Sequence, residues 1–142
     1  MKKEYRYITV FSILLLIALP LMAAGPVVIA NASVSDASLS QSDIQKIYLG
    51  KKSSWSDGSK IIPVTLAEGD THEAFCNSLV KKSASQFSTF WKQAIFTGKG
   101  TPPRSFTTEA ELVAYVGSTA GAIGYVSSGT NTGSSKVIQV QE

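Results

Sequence analysis

The stretch best suited to chemistry is TLAEGDTHEAF (65–75), in which a small turn at Gly69 lies between an apolar run, IIPV, and a predicted helix. The backbone N–H groups of Asp70, Thr71 and His72 would point out of the helix start, where the helix dipole favours an anion. The Thr71 hydroxyl adds a further donor. This turn is therefore the first candidate for an oxyanion site.

A plain helix cap explains the same residues without any ligand. Asp70 and Glu73 have the spacing of a capping box, with Asp70 as the N-cap. The Asp70 carboxylate would then satisfy part of the helix start and repel a free dianion, although a protonated phosphate could donate a hydrogen bond to it. Both interpretations stay open at this stage.

Other polar residues follow predicted strands and could join this turn. Ser33 and Ser35 come after the first strand, and Ser127 and Ser128 follow GAIGYV. Ligands of open α/β sheets bind at the carboxyl ends of strands, so these hydroxyls are expected to converge there. Arg104, the only arginine after residue 24, is a further candidate. The alternatives are ordinary loop serines and, for Arg104, a surface or capping contact.

Catalytic residues, a metal site and a cofactor are not predicted. The single histidine, His72, and the single cysteine, Cys76, could share a helix face, but nothing nearby would orient them as a catalytic pair. Clustered zinc ligands and a Gly-x-Ser-x-Gly turn are both missing from the sequence, and TGKG lacks the spacing of a phosphate-binding P-loop. We therefore predict a protein that is not an enzyme, with Cys76 as a small buried side chain.

The first 24 residues have the pattern of a secretory signal peptide. A basic start, MKKEYR, precedes an apolar segment that ends in small residues near Ala23 or Ala24. A membrane anchor is the alternative, but the segment is short for a span of roughly 20 residues. The pattern predicts a periplasmic or secreted protein, with a signal peptide at 1–24, one domain at 25–142 and no membrane span after cleavage.

The predicted mature chain is almost neutral. It keeps ten basic and nine acidic residues of the 142-residue sequence, so the net charge falls from +3 to about +1. Without a broad basic surface, nucleic acid is not expected as a partner.

Hydrophobic periodicity predicts strands that are separated by helices, which is typical of an α/β domain. A helix is predicted from a capping box at Ser42 and Gln45 to Gly50, and another from Thr108 to Gly117. The clearest apolar stripe, typical of a core-facing helix, contains Phe87, Phe90, Trp91, Ala94 and Ile95. The predicted strands are 26–32, 61–65, 121–126 and 136–141, and 97–105 is predicted to be a loop.

Four segments in this order resemble one family: LSQSDIQKIYLGKKSSWSDGSKIIPV, GDTHEAF, FWKQAIFTGKGTPPR and AGAIGYV. They are similar to the phosphate-binding periplasmic proteins of ABC transporters, and more closely to short, single-domain relatives in the type 2 periplasmic-binding-protein-like superfamily. Ala120 stands where that family often has proline. The resemblance implies a single lobe of this fold, with a mixed β-sheet flanked by helices.

The resemblance also implies where an anion would bind. Full-length relatives hold phosphate between two lobes, with an arginine and a Ser-Gly-Thr turn at a helix start. That turn corresponds to Gly69, Asp70 and Thr71, of which only Thr71 matches, and the arginine position falls at Thr65. The cationic clamp and the second lobe are thus both missing.

Two functions follow from these observations. The first is an exported, non-catalytic solute-binding-like protein for phosphate or a related oxyanion. The second is an interaction module that kept the fold, lost the ligand and contacts an envelope protein or transporter. For that module, Trp55 and Tyr125 are the expected exposed aromatic contacts.

Overall fold

A computed structural model describes residues 25–142, so the predicted signal peptide lies outside the described residues. Five strands form a mixed sheet in the order β4-β3-β5-β1-β6. Their bounds are β1 Val27–Ala30, β3 Ile62–Leu66, β4 Arg104–Phe106, β5 Ala122–Val126 and β6 Lys136–Val137. Two further strands, β2 Ser38–Ser40 and β7 Gln139–Gln141, pair with each other in parallel. The α/β class with a mixed sheet is confirmed.

Strand direction decides which loops meet. Strand β3 runs parallel to β4 and to β5, whereas β1 runs antiparallel to β5 and to β6. The carboxyl ends of β3 and β5 therefore lie at one edge of the sheet. The carboxyl end of β1 lies at the opposite edge, beside Gly121 at the start of β5.

Four helices flank the sheet: α1 Gln41–Tyr48, α2 Asp70–Phe75, α3 Ala84–Phe96 and α4 Glu109–Ser118. A π-helical segment, Cys76–Val80, continues α2. No helix within residues 25–142 combines the length and the apolar character that crossing a membrane requires.

Two predicted caps are wrong. Helix α1 begins two residues early, because the Ser40 hydroxyl accepts a hydrogen bond from the Asp43 amide at 3.0 Å and Ser42 is already helical. The N-cap of α2 is Gly69, with φ of 106° and no side-chain cap bond, so Asp70 is the first helical residue. By contrast, the Thr108 hydroxyl accepts from the Glu111 amide, as predicted for α4.

Helix α3 follows its predicted stripe only in part. Phe87 and Trp91 are buried, whereas Ile95 is 54% exposed. The segment predicted as a loop ends in β4, which pairs with β3, and the predicted last strand divides into β6 and β7. Strands β4, β6 and β7 form because they pair with strands far away in the sequence, not because of their own sequence pattern.

Aromatic rings join the sheet to α1 and α2. Phe75 stacks on Tyr125 with ring centroids 3.7 Å apart, and the Tyr48 ring meets the edge of Phe75 at 4.8 Å. The Tyr48 hydroxyl lies 3.0 Å from the carbonyl oxygen of Val64 and 3.2 Å from that of Ile123. Burial raises the pKa of Tyr48 well above its usual value, so this phenol stays neutral and fixes the end of α1 against the sheet.

Candidate functional site

The start of α2 has backbone donors that the helix itself does not use. The first intrahelical bond runs from the Glu73 amide to the Gly69 carbonyl at 3.0 Å. The amides of Asp70, Thr71 and His72 precede it, so they have no partner within the helix. Because Gly69 supplies no side-chain cap, the structure removes the competing explanation in which the Asp70 carboxylate closes this end.

The Ser127 hydroxyl and amide lie at the same edge of the sheet, but they contact an acidic side chain. Glu109, the first residue of α4, accepts hydrogen bonds from the Ser127 amide at 2.8 Å and the Ser127 hydroxyl at 2.9 Å. The Thr130 hydroxyl donates to the same carboxylate at 2.6 Å. We call Glu109, Ser127 and Thr130 the Glu109 cluster.

This cluster favours the ionised form of Glu109. Burial raises the pKa of the carboxyl, but the hydrogen bonds from Thr130 and Ser127 outweigh burial and leave the pKa below its usual value. The carboxylate also lies at the start of α4, where the helix dipole favours a negative charge. Neither Glu109 nor Thr130 was predicted from the sequence, because only the fold brings them to Ser127.

A shallow cavity of about 310 Å³ lies beside the cluster. Among the predicted site residues, Asp70, Thr71 and Ser127 line it, together with Ser128. Gly69 and His72 line a second cavity of about 310 Å³ on the α3 side of the turn. The structure thus brings Asp70, Thr71 and Ser127 to one cavity and places Gly69 and His72 at another.

Ser33 and Ser35 do not converge with these residues, and that expectation is wrong. Both follow β1, which runs antiparallel to β5, so they lie at the opposite edge of the sheet from Ser127. The Ser33 hydroxyl accepts a hydrogen bond from the Gly121 amide at 3.3 Å, and Ser35 is exposed in the loop after β1.

Arg104 packs on aromatic rings. Its guanidinium lies 5.2 Å from the ring centroid of Phe106 and 5.1 Å from that of Tyr115. This is the surface contact named as the alternative for Arg104, and cation–π attraction accounts for it.

Thr65, which the resemblance matches to the family's arginine, lies buried in the sheet. Thr65 is 3% exposed, and its hydroxyl lies 3.2 Å from that of Ser105 on β4. The side chain is therefore used between two strands rather than in a ligand contact.

The His72 side chain belongs to the core. Its Nδ1 lies 2.5 Å from the Tyr125 hydroxyl, which also accepts a hydrogen bond from the Leu66 amide at 3.0 Å. Burial lowers the pKa of His72, although Glu73 opposes this effect. A neutral ring that accepts from Tyr125 satisfies every polar group here, so only the backbone of His72 is available at the helix start.

Cys76 lacks the character of a nucleophile. Its Sγ lies 3.7 Å from Nε2 of His72, and burial, followed by the charge of Glu73, raises its pKa to about 11. The thiol therefore stays protonated near neutral pH, and a thiolate is the form that reacts. The prediction of a small buried side chain is confirmed.

The prediction that Trp55 and Tyr125 are exposed aromatic contacts is wrong. Trp55 is 2% exposed and Tyr125 is fully buried. The large apolar side chains that do reach the surface include Ile95 and Phe96 at the end of α3, and Phe96 is 92% exposed.

The fold is similar to part of several solved phosphate-transport receptors. No protein-family model and no curated protein matches the sequence. Among solved structures, an ABC-type phosphate transport receptor from Vibrio cholerae is similar over 82% of this chain, with a TM-score of 0.61 and 20% identity. PstS from Borrelia burgdorferi is similar over 83% of this chain, with a TM-score of 0.64 and 13% identity.

A third similar structure is a putative phosphate ABC transporter substrate-binding protein with bound phosphate from Clostridium perfringens, at 20% identity and a TM-score of 0.59. The chain spans 44–47% of the length of these three structures. The fold predicted by the resemblance, a single lobe of the periplasmic-binding-protein type, is therefore confirmed. At this identity the likeness shows the fold alone.

Proposed function

We propose that this chain is an exported, non-catalytic binding protein that takes phosphate or a related oxyanion beside the start of α2. The observation that carries the proposal is the glycine cap of α2. It leaves the amides of Asp70 and Thr71 without an intrahelical partner at the edge of a cavity that Ser127 also lines. The similarity to phosphate-transport receptors supports this choice of ligand.

The binding is expected to be weak and selective. Among the described residues, no lysine or arginine lines the cavity beside Ser127. A single lobe also leaves the ligand in contact with water, which weakens each charge-assisted bond. A dissociation constant of about 1 mM, equivalent to roughly −4 kcal/mol, is reasonable for such a site. Hydrogen phosphate carries a proton that it can donate to Asp70, whereas sulfate at neutral pH does not, so phosphate should bind more tightly than sulfate.

An NMR titration of the purified protein tests the proposal. Phosphate should shift the amide resonances of residues 70–72 with saturation, and Thr71→Val should weaken the binding about fivefold because one hydroxyl donor is lost. Thr89→Val, at an exposed position of α3, is the matched control and should leave the binding unchanged. The proposal fails if these amides do not move in about 50 mM phosphate, well above the expected dissociation constant.

Exposure of Phe96 favours partner docking as a second candidate function. Phe96 is 92% exposed and adjoins Ile95, which is 54% exposed, so the pair offers an apolar contact to an envelope protein or a transporter. A photocrosslinking residue at position 96, in cells that make the protein, should give a discrete adduct. The same residue at Ser85, an exposed position near the start of α3, should give none. Equal labelling from both positions, or no adduct from position 96, contradicts this candidate.

A further inference from the structure

The Glu109 carboxylate uses the Ser127 donors that an oxyanion in this cavity would need. It accepts from the Ser127 amide at 2.8 Å, from the Ser127 hydroxyl at 2.9 Å and from the Thr130 hydroxyl at 2.6 Å. Ser127 also lines the cavity, together with Asp70 and Thr71. We infer that Glu109 is a resident anion of this site, an internal competitor that limits the binding of external oxyanions.

The inference rests on the proposed function and on the number of donors. A hydroxyl has one proton to donate, and the hydroxyls of Ser127 and Thr130 give theirs to Glu109. An oxyanion that approaches Ser127 must therefore displace the carboxylate or bind with fewer donors. It must also approach a like charge, which costs binding where water does not fully screen the pair.

A purely structural role for Glu109 makes a different prediction. In that case the carboxylate only fastens the 127–130 turn to the start of α4. Its removal would then lower stability without any effect on oxyanion binding. Binding and stability therefore have to be measured in the same variants.

The variants are Glu109→Gln and a matched control, Glu111→Gln. Both remove one negative charge from α4, but Glu111 is exposed and lies outside the cluster. With inorganic phosphate as the ligand and calorimetry as the readout, Glu109→Gln should bind about tenfold more tightly than wild type, a change of ~1.4 kcal/mol. Glu111→Gln should differ from wild type by less than about twofold, because it changes only the screened long-range field.

The outcomes separate this inference from the proposed function. If wild type binds phosphate and Glu109→Gln binds no more tightly, the resident-anion role is wrong and the proposed function stands. If only Glu109→Gln binds, the resident anion is supported and the proposed function of the natural chain fails. If neither binds, both are wrong.

A measurement on wild type covers the case in which Glu109→Gln does not fold. The ¹³C resonance of the Glu109 carboxyl should shift in a phosphate titration, with the same saturation as the Thr71 amide. A carboxyl resonance that stays in place while the Thr71 amide saturates overturns the inference.

Discussion

The two ends of strand β5 are both rich in serine contacts, yet they differ in what those contacts do. At the Gly121 end, backbone groups pair with neighbours. The Gly121 amide donates to the Ser33 hydroxyl at 3.3 Å, and the Gly121 carbonyl accepts from the Trp55 indole at 3.0 Å and from the Ile62 amide at 3.0 Å. At the Ser127 end, an amide and hydroxyls surround the charge of Glu109, next to an open cavity.

This difference shows why residue type alone does not locate a site. Ser33 and Ser127 have the same side chain and follow strands in the same way, but the Ser33 hydroxyl accepts a hydrogen bond from the Gly121 amide. Ser127 donates to an anion at an edge where two parallel strands end. The Gly121 end is therefore expected to control stability, and the Ser127 end to control charge and binding.

The largest expected effect is that of Gly121→Ala. Gly121 has φ of +80°, and a Cβ at this position would lie 2.2 Å from the carbonyl oxygen of Lys60. The left-handed conformation costs an alanine about 1–2 kcal/mol, and the overlap with backbone adds to it. We expect the free energy of unfolding in urea to fall by more than about 3 kcal/mol, or the protein not to fold.

The matched control is Gly129→Ala, at the loop beyond the Ser127 end. Gly129 has a similar φ of +85°, but a Cβ there would meet nothing within 4 Å. Only the conformational cost of about 1–2 kcal/mol should therefore remain. Equal losses in the two variants would show that the Gly121 end is not tightly closed, and the contrast between the two ends would then be wrong.

The sequence predicts the fold class well because local patterns determine most of it. Ile44, Ile47 and Tyr48 form a helical stripe and are all buried, and the AIGYV run is a fully buried strand. The local pattern also predicts Gly69 between a strand and a helix, and Gly69 does lie between β3 and α2. Such features depend on neighbours in sequence, so a single chain is enough to find them.

The site was harder to predict because it depends on strand direction and on long-range contacts. No local sequence pattern indicates that β1 runs antiparallel to β5. This direction places Ser33 at the opposite edge of the sheet from the site. The contact between Glu109 and Ser127 joins residues 18 positions apart, and the sequence at Glu109 indicates only an acidic first turn of a helix. The pattern Asp70–Glu73 fits a capping box, but Gly69, with its positive φ, is the N-cap, and the helix starts one residue earlier than an Asp70 cap requires.

The smallest expected effect is a loss of stability in acid when the Glu109 carboxylate at the Ser127 end is protonated. The pKa of Glu109 in the folded protein lies below its usual value of 4.5, so the unfolded chain takes up a proton first as the pH falls. The stability that ionised Glu109 contributes is therefore complete above pH 4.5 and is lost as the pH falls through the folded-state pKa. Since water screens this partly exposed charge, the contribution should stay below about 1 kcal/mol.

Urea unfolding at neutral pH and at about pH 3 measures this loss, since about pH 3 lies below the usual carboxyl range. Wild type should lose more stability on acidification than Glu109→Gln, because the variant has no carboxyl at this position to protonate. Glu111→Gln should follow wild type, since its hydrogen-bonded carboxylate at position 109 is intact. If Glu109→Gln and wild type lose equal stability in acid, the hydrogen bonds from Ser127 and Thr130 do not favour the ionised carboxylate. The Ser127 end would then resemble the Gly121 end, a packed turn without a resident charge.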